Sequence, residues 1–352
     1  MLNEKQIREV RNHLEKAQNP VFFFDNDNDG LTSFLLLQRF IGRGKGVVIR
    51  SFPDLSISYY RKVEELKTDY IFILDKPLVS KEFIERAKKD NLNIVWIDHH
   101  QVEKTGEMNF DNVFYYNTFH NDKKNEPVSY LCYKIAGKKE DIWLSLIGCI
   151  SDCYFPDFYS EFDKKYPDLG LNNPTSAFDL LYKSEIGRIA RILDFSLKDS
   201  ITNVVNMTKI MMNVRNPVDI LEENNKTKQI FKRYNEINGK YQQLIEKARA
   251  LADKNLIYFQ YGGSLSLSAN LSNQLIYEFP DKVVVVVYIS EDVANISIRG
   301  KGNVRKLTLE AIEEIPGATG GGHENATGAK INVSYLPKFK EKISELISKM
   351  YK

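Results

Sequence analysis

The chain has 352 residues, of which 43% are hydrophobic and 27% charged, as in a globular protein long enough for two domains. Its 49 Lys and Arg against 47 Asp and Glu leave a net charge of +2, which excludes attraction of nucleic acid through overall charge and leaves a local basic groove open. The three cysteines form no C-x-x-C pair, and we find neither a signal peptide nor an apolar run of about 18 residues. We therefore expect reduced thiols, a cytoplasmic location and no membrane association.

The first third of the chain alternates apolar runs with helical patterns. An opening helix is predicted over residues 4–17. Short apolar runs then predict buried strands at 21–24, 46–51, 70–74 and 94–97, and helices are predicted at 31–41 and 81–89. This alternation indicates an α/β fold with a doubly wound parallel sheet, in which ligands bind at the carboxyl ends of the strands.

The rest of the chain predicts a helical region and a second, smaller α/β domain. Residues 127–221 are largely helical in pattern, and apolar residues spaced by three and four from Ile230 onward predict a long connecting helix, which Gly239 weakens by about 1 kcal/mol. Strands are predicted at 283–287 and 294–299, before a closing helix. The predicted organisation is a first domain at 1–195, a helical connector at 196–255 and a second domain at 256–352.

Three acids directly follow the first predicted strand, in a D-x-D-x-D-G pattern made by Asp25, Asp27, Asp29 and Gly30. Carboxylates this close repel one another unless protons or a cation neutralise them. A calcium loop is excluded, because that loop needs a glutamate six residues after the glycine and this chain has none there. The alternative to a metal site is a solvated acidic turn that caps the following helix.

Further candidate ligands follow two later strands and a helix. Asp75 ends the third predicted strand, Asp98, His99 and His100 end the fourth, and Asp152 follows an apolar helical run. Imidazole beside carboxylates is a common ligand set for a divalent metal, and this mixture of nitrogen and oxygen suits Mn²⁺. The alternatives are helix capping by Asp75 and hydrogen bonding of the two histidines to loop carbonyls.

A glycine-rich segment at 317–328 contains Gly321, Gly322 and His323. Consecutive glycines let backbone N–H groups approach an anion, and a helix starting after them would add a favourable dipole. Arg299, at the end of a predicted strand, is a candidate for a bidentate phosphate contact. The alternative for the glycine run is a flexible loop.

Taken in order, these elements resemble the DHH phosphoesterase family over nearly the whole chain. The acidic pattern, Asp75, the Asp98-His99-His100 triplet and Asp152 resemble four motifs of its N-terminal domain. Residues 320–328 resemble the G-G-G-H signature of the DHH-associated C-terminal domain. The resemblance implies a catalytic DHH domain at the N-terminus, a smaller substrate-binding domain, and an active site in the cleft between them.

The family also implies a role for each matched position. Two Mn²⁺ ions, with Mg²⁺ as a weaker substitute, would be held by Asp25, Asp27, Asp75, His99 and Asp152. Asp75 would bridge the ions, which would activate a water for attack on phosphorus. His100 would face the scissile phosphate, and Asp98 would orient the histidines. The substrate phosphates would be held by Arg299, Gly321, Gly322 and His323.

Two features distinguish branches of the family. The pyrophosphatase and oligoribonuclease branches have a histidine four residues before the first aspartate, where this chain has Val21. The D-x-D-x-D-G form resembles the RecJ-like exonucleases instead, and Asp29 would compensate for the missing ligand. The chain also leaves no room for the oligonucleotide-binding barrel of bacterial RecJ, so it is closer in outline to archaeal RecJ-like proteins, including those associated with GINS.

The leading hypothesis is thus a RecJ-like exonuclease that trims single-stranded DNA or RNA to mononucleotides. A second hypothesis is a hydrolase of short oligonucleotides, cyclic dinucleotides or bisphosphorylated nucleosides. The third belongs to another class, a replisome scaffold with little or no catalysis, like the RecJ relative in the eukaryotic replicative helicase. Such scaffolds tend to lose metal ligands, and this chain keeps them.

Overall fold

The computed structural model describes residues 1–51, 53–101 and 110–350. Contacts divide the chain into two compact units, Met1–Tyr234 and Asn235–Lys352. Each unit is built around its own five-stranded sheet. Over these described ranges, none of the helices combines the length and the apolarity that a membrane crossing demands.

The first unit alternates strands and helices before it becomes wholly helical. Its strands are β1 Pro20–Asp25, β2 Lys45–Ile49, β3 Asp54–Leu55, β4 Tyr70–Leu74, β5 Leu78–Val79, β6 Asn93–Asp98 and β7 Val113–Asn117. Its helices are α1 Glu4–Lys16, α2 Asn28–Ile41, α3 Tyr60–Leu66, α4 Lys81–Lys89, α5 Phe119–Asp122, α6 Val128–Ala136, α7 Ile142–Ser151, α8 Tyr159–Lys165, α9 Ala177–Lys183, α10 Glu185–Leu197 and α11 Ile201–Asn213. Helix α12, Lys228–Arg249, begins in this unit and continues into the second.

The main sheet of the first unit has the strand order β2-β1-β4-β6-β7, and all four pairings are parallel. The predicted doubly wound parallel sheet is therefore confirmed. Strand β7 was not predicted; it lies at the sheet edge, and its first three residues are only partly buried. The carboxyl ends of β1, β4, β6 and β7 meet at one edge, which collects the residues that follow them.

Alternate residues of the strands pack on opposite faces of this sheet. Phe22 and Phe24 lie in a core with α1, α2, α6 and α7, whereas Val21 and Phe23 lie in a second core with α3 and α4. Because both faces are covered, every residue of β4 is buried and the strand reads as an unbroken apolar run. Apolar residues from the predicted connector, such as Val204, pack into the core of the first unit.

The second unit has the strand order β11-β12-β10-β9-β8, parallel between β8 and β9 and antiparallel elsewhere. Its strands are β8 Leu256–Gly262, β9 Val283–Ser290, β10 Val293–Arg299, β11 Thr319–His323 and β12 Ala326–Asn332. Its further helices are α13 Ser268–Glu278, α14 Val304–Ile312 and α15 Leu336–Met350. The predicted smaller α/β domain is confirmed.

The expectation of a helix after the glycine run is wrong. Gly320–Gly322 lie within β11, and the chain turns at 324–325 directly into β12. Residues 326–332 alternate between buried and exposed positions with a period of two, which fits a strand and not a helix. Anion binding by these glycines would therefore depend on strand amides alone.

Candidate metal centre

The acidic loop is positioned by the end of β1 and the start of α2. Asp25 is the last residue of β1, and Asp27 is the N-cap of α2, where its Oδ1 accepts from the Gly30 N–H at 2.9 Å. A Cβ on Gly30 would lie 2.5 Å from the Asp25 carbonyl oxygen, so only glycine lets the helix start this close to the strand. Asp25 and Asp27 are thereby held on one short turn.

Asp29 is fixed by a structural contact of its own. Its two carboxylate oxygens accept from the backbone N–H groups of Val128 at 2.7 Å and Ser129 at 2.9 Å, at the start of α6. The side chain is buried. Asp29 therefore anchors α6, which is a second role beside its nearness to other candidate ligands.

Asp75 follows β4 in an unusual backbone conformation. Its φ is 61°, in the left-handed region, which among residues other than glycine is tolerated best by Asp and Asn. The Asp75 N–H still donates to Ile97 O at 3.0 Å, so the β4–β6 ladder holds the residue in place. Its side chain is buried, and Asp75 Oδ1 has no hydrogen-bond partner among the described residues. Backbone strain at a buried acid with an unsatisfied oxygen is typical of a functional position.

His99 joins Asp75 to Asp152. Its Nε2 lies 3.3 Å from Asp75 Oδ1 and 3.3 Å from Asp152 Oδ2. Asp152 is the C-cap of α7, so the end of that helix delivers its carboxylate to the sheet edge. The structure thus brings together a strand end, a loop and a helix end that are far apart in the sequence.

His100 is oriented by Asp98. Its Nδ1 lies 2.7 Å from Asp98 Oδ1, and its backbone N–H donates to Asp98 Oδ2 at 3.2 Å. Asn117 Nδ2 donates to Asp98 Oδ2 at 3.2 Å, to His100 O at 3.0 Å and to Tyr115 Oη at 2.8 Å. This network fixes the ring with its Nε2 side directed away from Asp98.

The side chains at this edge form three sets of ligand atoms. In each set the atoms lie within 4.8 Å of one another, and the sets are Asp25–Asp27–Asp75, Asp29–His99–Asp152 and Asp75–His99–His100. Asp75 belongs to two sets, as a bridging carboxylate does. The unsatisfied Asp75 Oδ1, and the His99 Nε2 that lies beside it, fit a divalent cation held by mixed nitrogen and oxygen donors.

Sequence reasoning missed three residues that support these ligands. The Lys76 ammonium lies 2.8 Å from Asp25 Oδ1 and its side chain is fully buried. Asn28 Nδ2 donates to Ser151 Oγ at 2.9 Å and to Ala190 O at 2.8 Å, which ties the acidic loop to the residue before Asp152. Asn117 could have been found by its place at a strand end, had β7 been predicted. Nothing local in the sequence distinguishes Lys76 from a surface lysine.

The candidate substrate residues lie in the second unit. Arg299 in β10 and His323 in β11 both pair with Ala326 of β12, so the three residues form one row across the sheet. Arg299 Nε donates to Asn273 Oδ1 at 2.7 Å, and its Nη1 donates to Ile298 O at 2.9 Å and Thr327 O at 3.2 Å. These bonds occupy part of the guanidinium that was predicted to grip phosphate.

Gly321 and Gly322 differ in whether the backbone requires glycine. Gly322 has φ 132°, and a Cβ there would lie 2.5 Å from Ala326 O, so the backbone itself requires glycine. A Cβ on Gly321 would meet nothing within 4 Å. Close approach by a ligand is one reason for glycine at such an open position.

Comparison with known families agrees with this architecture. Residues 21–148 match the DHH family, N-terminal domain, and residues 253–349 match the DHHA1 domain. The chain belongs to the DHH phosphoesterase family. No curated protein matches the sequence significantly. The matched part of the DHH domain ends before Asp152, so the assignment of that residue rests on its 3.3 Å contact with His99.

Solved structures place this DHH protein among RecJ-like folds. It is similar to RecJ in complex with Mn²⁺ from Thermus thermophilus (TM-score 0.68, 14% identity), covering 99% of this chain and 55% of that one. It is also similar to an exonuclease RecJ bound to manganese (TM-score 0.64, 15% identity, 99% and 95% covered). A pGpG-specific phosphodiesterase from Vibrio cholerae shares the fold at a TM-score of 0.51 and 12% identity, with 94% and 99% covered. The DHH protein therefore spans about half the length of the Thermus RecJ.

The titratable groups of the candidate metal centre should make the stability of the metal-free protein depend on pH. Burial, and next the charge of Asp29, raise the pKa of Asp152 to about 7 and that of Asp75 well above its usual range. Burial also raises the pKa of Asp27, with Asp75 and Asp25 adding to the effect. Without metal, the native state binds more protons than the unfolded chain between about pH 4 and 7, so stability falls as pH rises through this window.

His100 should also make the metal-free protein less stable as pH rises. Burial alone would lower its pKa, but the hydrogen bond and charge of Asp98, with Asp75 and Asp152, raise it to about 10. The stabilisation by protonated His100 is complete below its unfolded pKa of about 6.5 and is lost as pH rises through about 10.

We expect the metal-free protein to melt at a higher temperature at pH 5.5 than at pH 8.5. Because ligands must be deprotonated, added Mn²⁺ should raise the melting temperature more at pH 8.5 than at pH 5.5. Differential scanning fluorimetry at both pH values, with chelator and with Mn²⁺, measures both effects. Asp152→Asn should reduce the pH dependence of the metal-free protein. A metal-free parent that is more stable at pH 8.5 would contradict the charge assignment.

Proposed function

We propose that this protein is a Mn²⁺-dependent phosphodiesterase of the RecJ type, a single-strand exonuclease that releases mononucleotides from DNA or RNA. The observation that carries the proposal is a group of seven side chains at one sheet edge. They form three overlapping sets, each with its ligand atoms within 4.8 Å of one another, and they are Asp25, Asp27, Asp29, Asp75, His99, His100 and Asp152. Asp29 and Asp75 are buried, and the crowding of five carboxylates is costly unless protons or a cation neutralise them.

The contacts of these residues support a division into metal ligands and residues that hold the ligands in place. Asp25, Asp27, Asp75, His99 and Asp152 would hold two Mn²⁺ ions, with Asp75 shared between them. Bound Mn²⁺ would supply Lewis-acid stabilisation of phosphoryl charge and a water of lowered pKa. Asp29 is nearby but also anchors α6 through both oxygens, so it would compensate only in part for the histidine replaced by Val21.

His100 would act on substrate and not on metal. Its Nδ1 is held by Asp98, whose hydrogen bond and charge raise the pKa of the ring in the metal-free protein and favour its protonated form. A protonated imidazole with Nε2 directed away from Asp98 is suited to donate to a phosphate oxygen or to the leaving oxygen. Asp98 would keep that ring oriented, and Asn117 would keep Asp98 in place.

The second unit would contribute phosphate contacts. Arg299 and His323 share one row of its sheet, and the open face at Gly321 leaves room for backbone amides to approach an anion. Both side chains offer N–H donors to phosphate. The row supports the proposed substrate contacts of Arg299 and His323, and the strand amides of Gly321 and Gly322 would add to them.

A second candidate is a hydrolase of short oligonucleotides, cyclic dinucleotides or bisphosphorylated nucleosides. The fold similarity to a pGpG-specific phosphodiesterase supports this second candidate. A replisome scaffold with little or no catalysis, associated with proteins such as GINS, is a third candidate. The retained candidate ligands, Asp25, Asp27, Asp75, His99 and Asp152, argue against it. The discriminating property is the length of substrate that the protein degrades.

The experiment is product analysis on 5′- and 3′-end-labelled DNA and RNA strands of 2, about 10 and about 30 nucleotides. We expect progressive release of mononucleotides from the long strands with Mn²⁺, weaker activity with Mg²⁺ and none with Ca²⁺ or after chelator treatment, because the mixed nitrogen and oxygen ligand set suits a borderline cation. Cleavage of dinucleotides alone would favour the second candidate. No cleavage of any strand by Mn²⁺-loaded protein would favour the scaffold, and full turnover of metal-free protein would exclude the metal mechanism.

A further inference from the structure

Lys76 places a buried positive charge within the metal centre. Its side chain is fully buried, and its Nζ lies 2.8 Å from Asp25 Oδ1. Lysine is rarely buried unless an acid pairs with it, and a pair with one buried and one partly buried member is screened by salt less than a surface pair. The Lys76 carbonyl also accepts from Trp96 Nε1 at 2.8 Å, which fixes the backbone that carries the side chain.

The ammonium pairs with an acid from one part of the centre. Asp25 belongs to the set Asp25–Asp27–Asp75, in which all donors are carboxylates, and to neither of the sets that contain His99. The two regions of the centre therefore differ in charge as well as in ligand type. The carboxylate region already has a cation at its first acid, whereas the His99 region is built from imidazole and acids.

We propose that Lys76 makes the two metal positions unequal by weakening the ion held by Asp25, Asp27 and Asp75. A fixed positive charge beside Asp25 repels an incoming dication and competes with it for a carboxylate oxygen. In the absence of metal, the same charge offsets the mutual repulsion of the acids and helps the centre stay assembled. The proposal rests on the metal sites assigned under the proposed function.

Lys76 should thus have opposite effects on metal-free stability and on metal affinity, whereas a purely structural role would affect both in the same direction. Removing the charge should lower the stability of the metal-free protein and raise the affinity of the weaker ion. Loss of packing alone would lower both. A charge-preserving change should keep the parental pattern.

The test measures Mn²⁺ binding to the chelator-treated protein, by calorimetry and by electron paramagnetic resonance of free Mn²⁺. We expect the parent to bind two ions in one tight and one weak class. Lys76→Met keeps a chain of similar length without the charge, and we expect it to tighten the weak class about tenfold or more and to lower the metal-free melting temperature. Lys76→Arg should retain a weak class. Lys81→Met is the matched control, because Lys81 is exposed on α4, and it should match the parent.

Each result bears on one proposal. A weak class that is unchanged or weaker in Lys76→Met overturns the role of Lys76, as do two equal classes in the parent. If Lys76→Met does not fold, Lys76→Gln is measured in its place, with the same expectation. A parent that binds no Mn²⁺ instead overturns the metal centre and with it the proposed function.

Discussion

Asp75→Asn is expected to abolish Mn²⁺-dependent turnover, by at least about 1,000-fold, because the residue belongs to two ligand sets and its loss affects both metal positions. Asparagine keeps the shape and tolerates the left-handed φ of 61°, so the fold should persist. Burial and the charge of Asp29 raise the pKa of Asp75, which means that its ionised form destabilises the metal-free protein. The metal-free variant should therefore melt at or above the temperature of the parent.

Asp75→Ala, compared with Asp75→Asn, distinguishes the effect of losing the charge from the effect of the left-handed backbone conformation. It should lose as much turnover but melt below Asp75→Asn, because alanine in the left-handed region costs about 1–2 kcal/mol. Turnover on a labelled strand and melting with chelator measure the two effects. Asp111→Asn is the control, since that side chain is 95% exposed, and it should change neither. Parental turnover by Asp75→Asn would show that the bridging assignment is wrong.

Alanine substitutions of His99 in the first unit and His323 in the second should differ in their effect on Mn²⁺ affinity. His99→Ala should lose both turnover and Mn²⁺ affinity, because His99 Nε2 lies 3.3 Å from Asp75 and from Asp152. His323→Ala should lose kcat/KM by roughly 10–100-fold with near-parental Mn²⁺ affinity, since a phosphate donor acts on substrate and on the transition state only. The loss should be largest for dinucleotides, which have few other contacts.

Calorimetric Mn²⁺ titration beside kinetics on a dinucleotide and a long strand measures this difference. His13→Ala serves as a control, because His13 bonds to Tyr70 Oη outside the centre. Arg299→Ala should resemble His323→Ala in kinetics but should also destabilise the second unit, through loss of its bonds to Asn273 and two carbonyls. Equal loss of Mn²⁺ affinity in His323→Ala and His99→Ala would assign His323 to the metal centre instead.

Local patterns in the sequence predicted the fold class and the candidate ligands of the first unit. Runs such as Val21–Phe24 are apolar throughout because both faces of a parallel sheet are covered, and that local signal located β1, β4 and β6. Side chains that directly follow such strands must meet at one edge, so Asp25, Asp75 and His99 could be grouped without coordinates. Ligand type then indicated a divalent metal.

The contacts of these side chains depend on the tertiary structure. Asp29 bonds to α6 across 99 residues, Asn28 reaches Ala190 across 162, and Lys76 reaches Asp25 across 51. No local periodicity carries such pairings, because they depend on how helices pack after the strands have formed. The same holds for the glycine segment, which pairs as β11 with β12 and leads into no helix. Local hydrophobic pattern fixes which elements form, whereas the charge balance of the centre depends on side chains that only packing brings together.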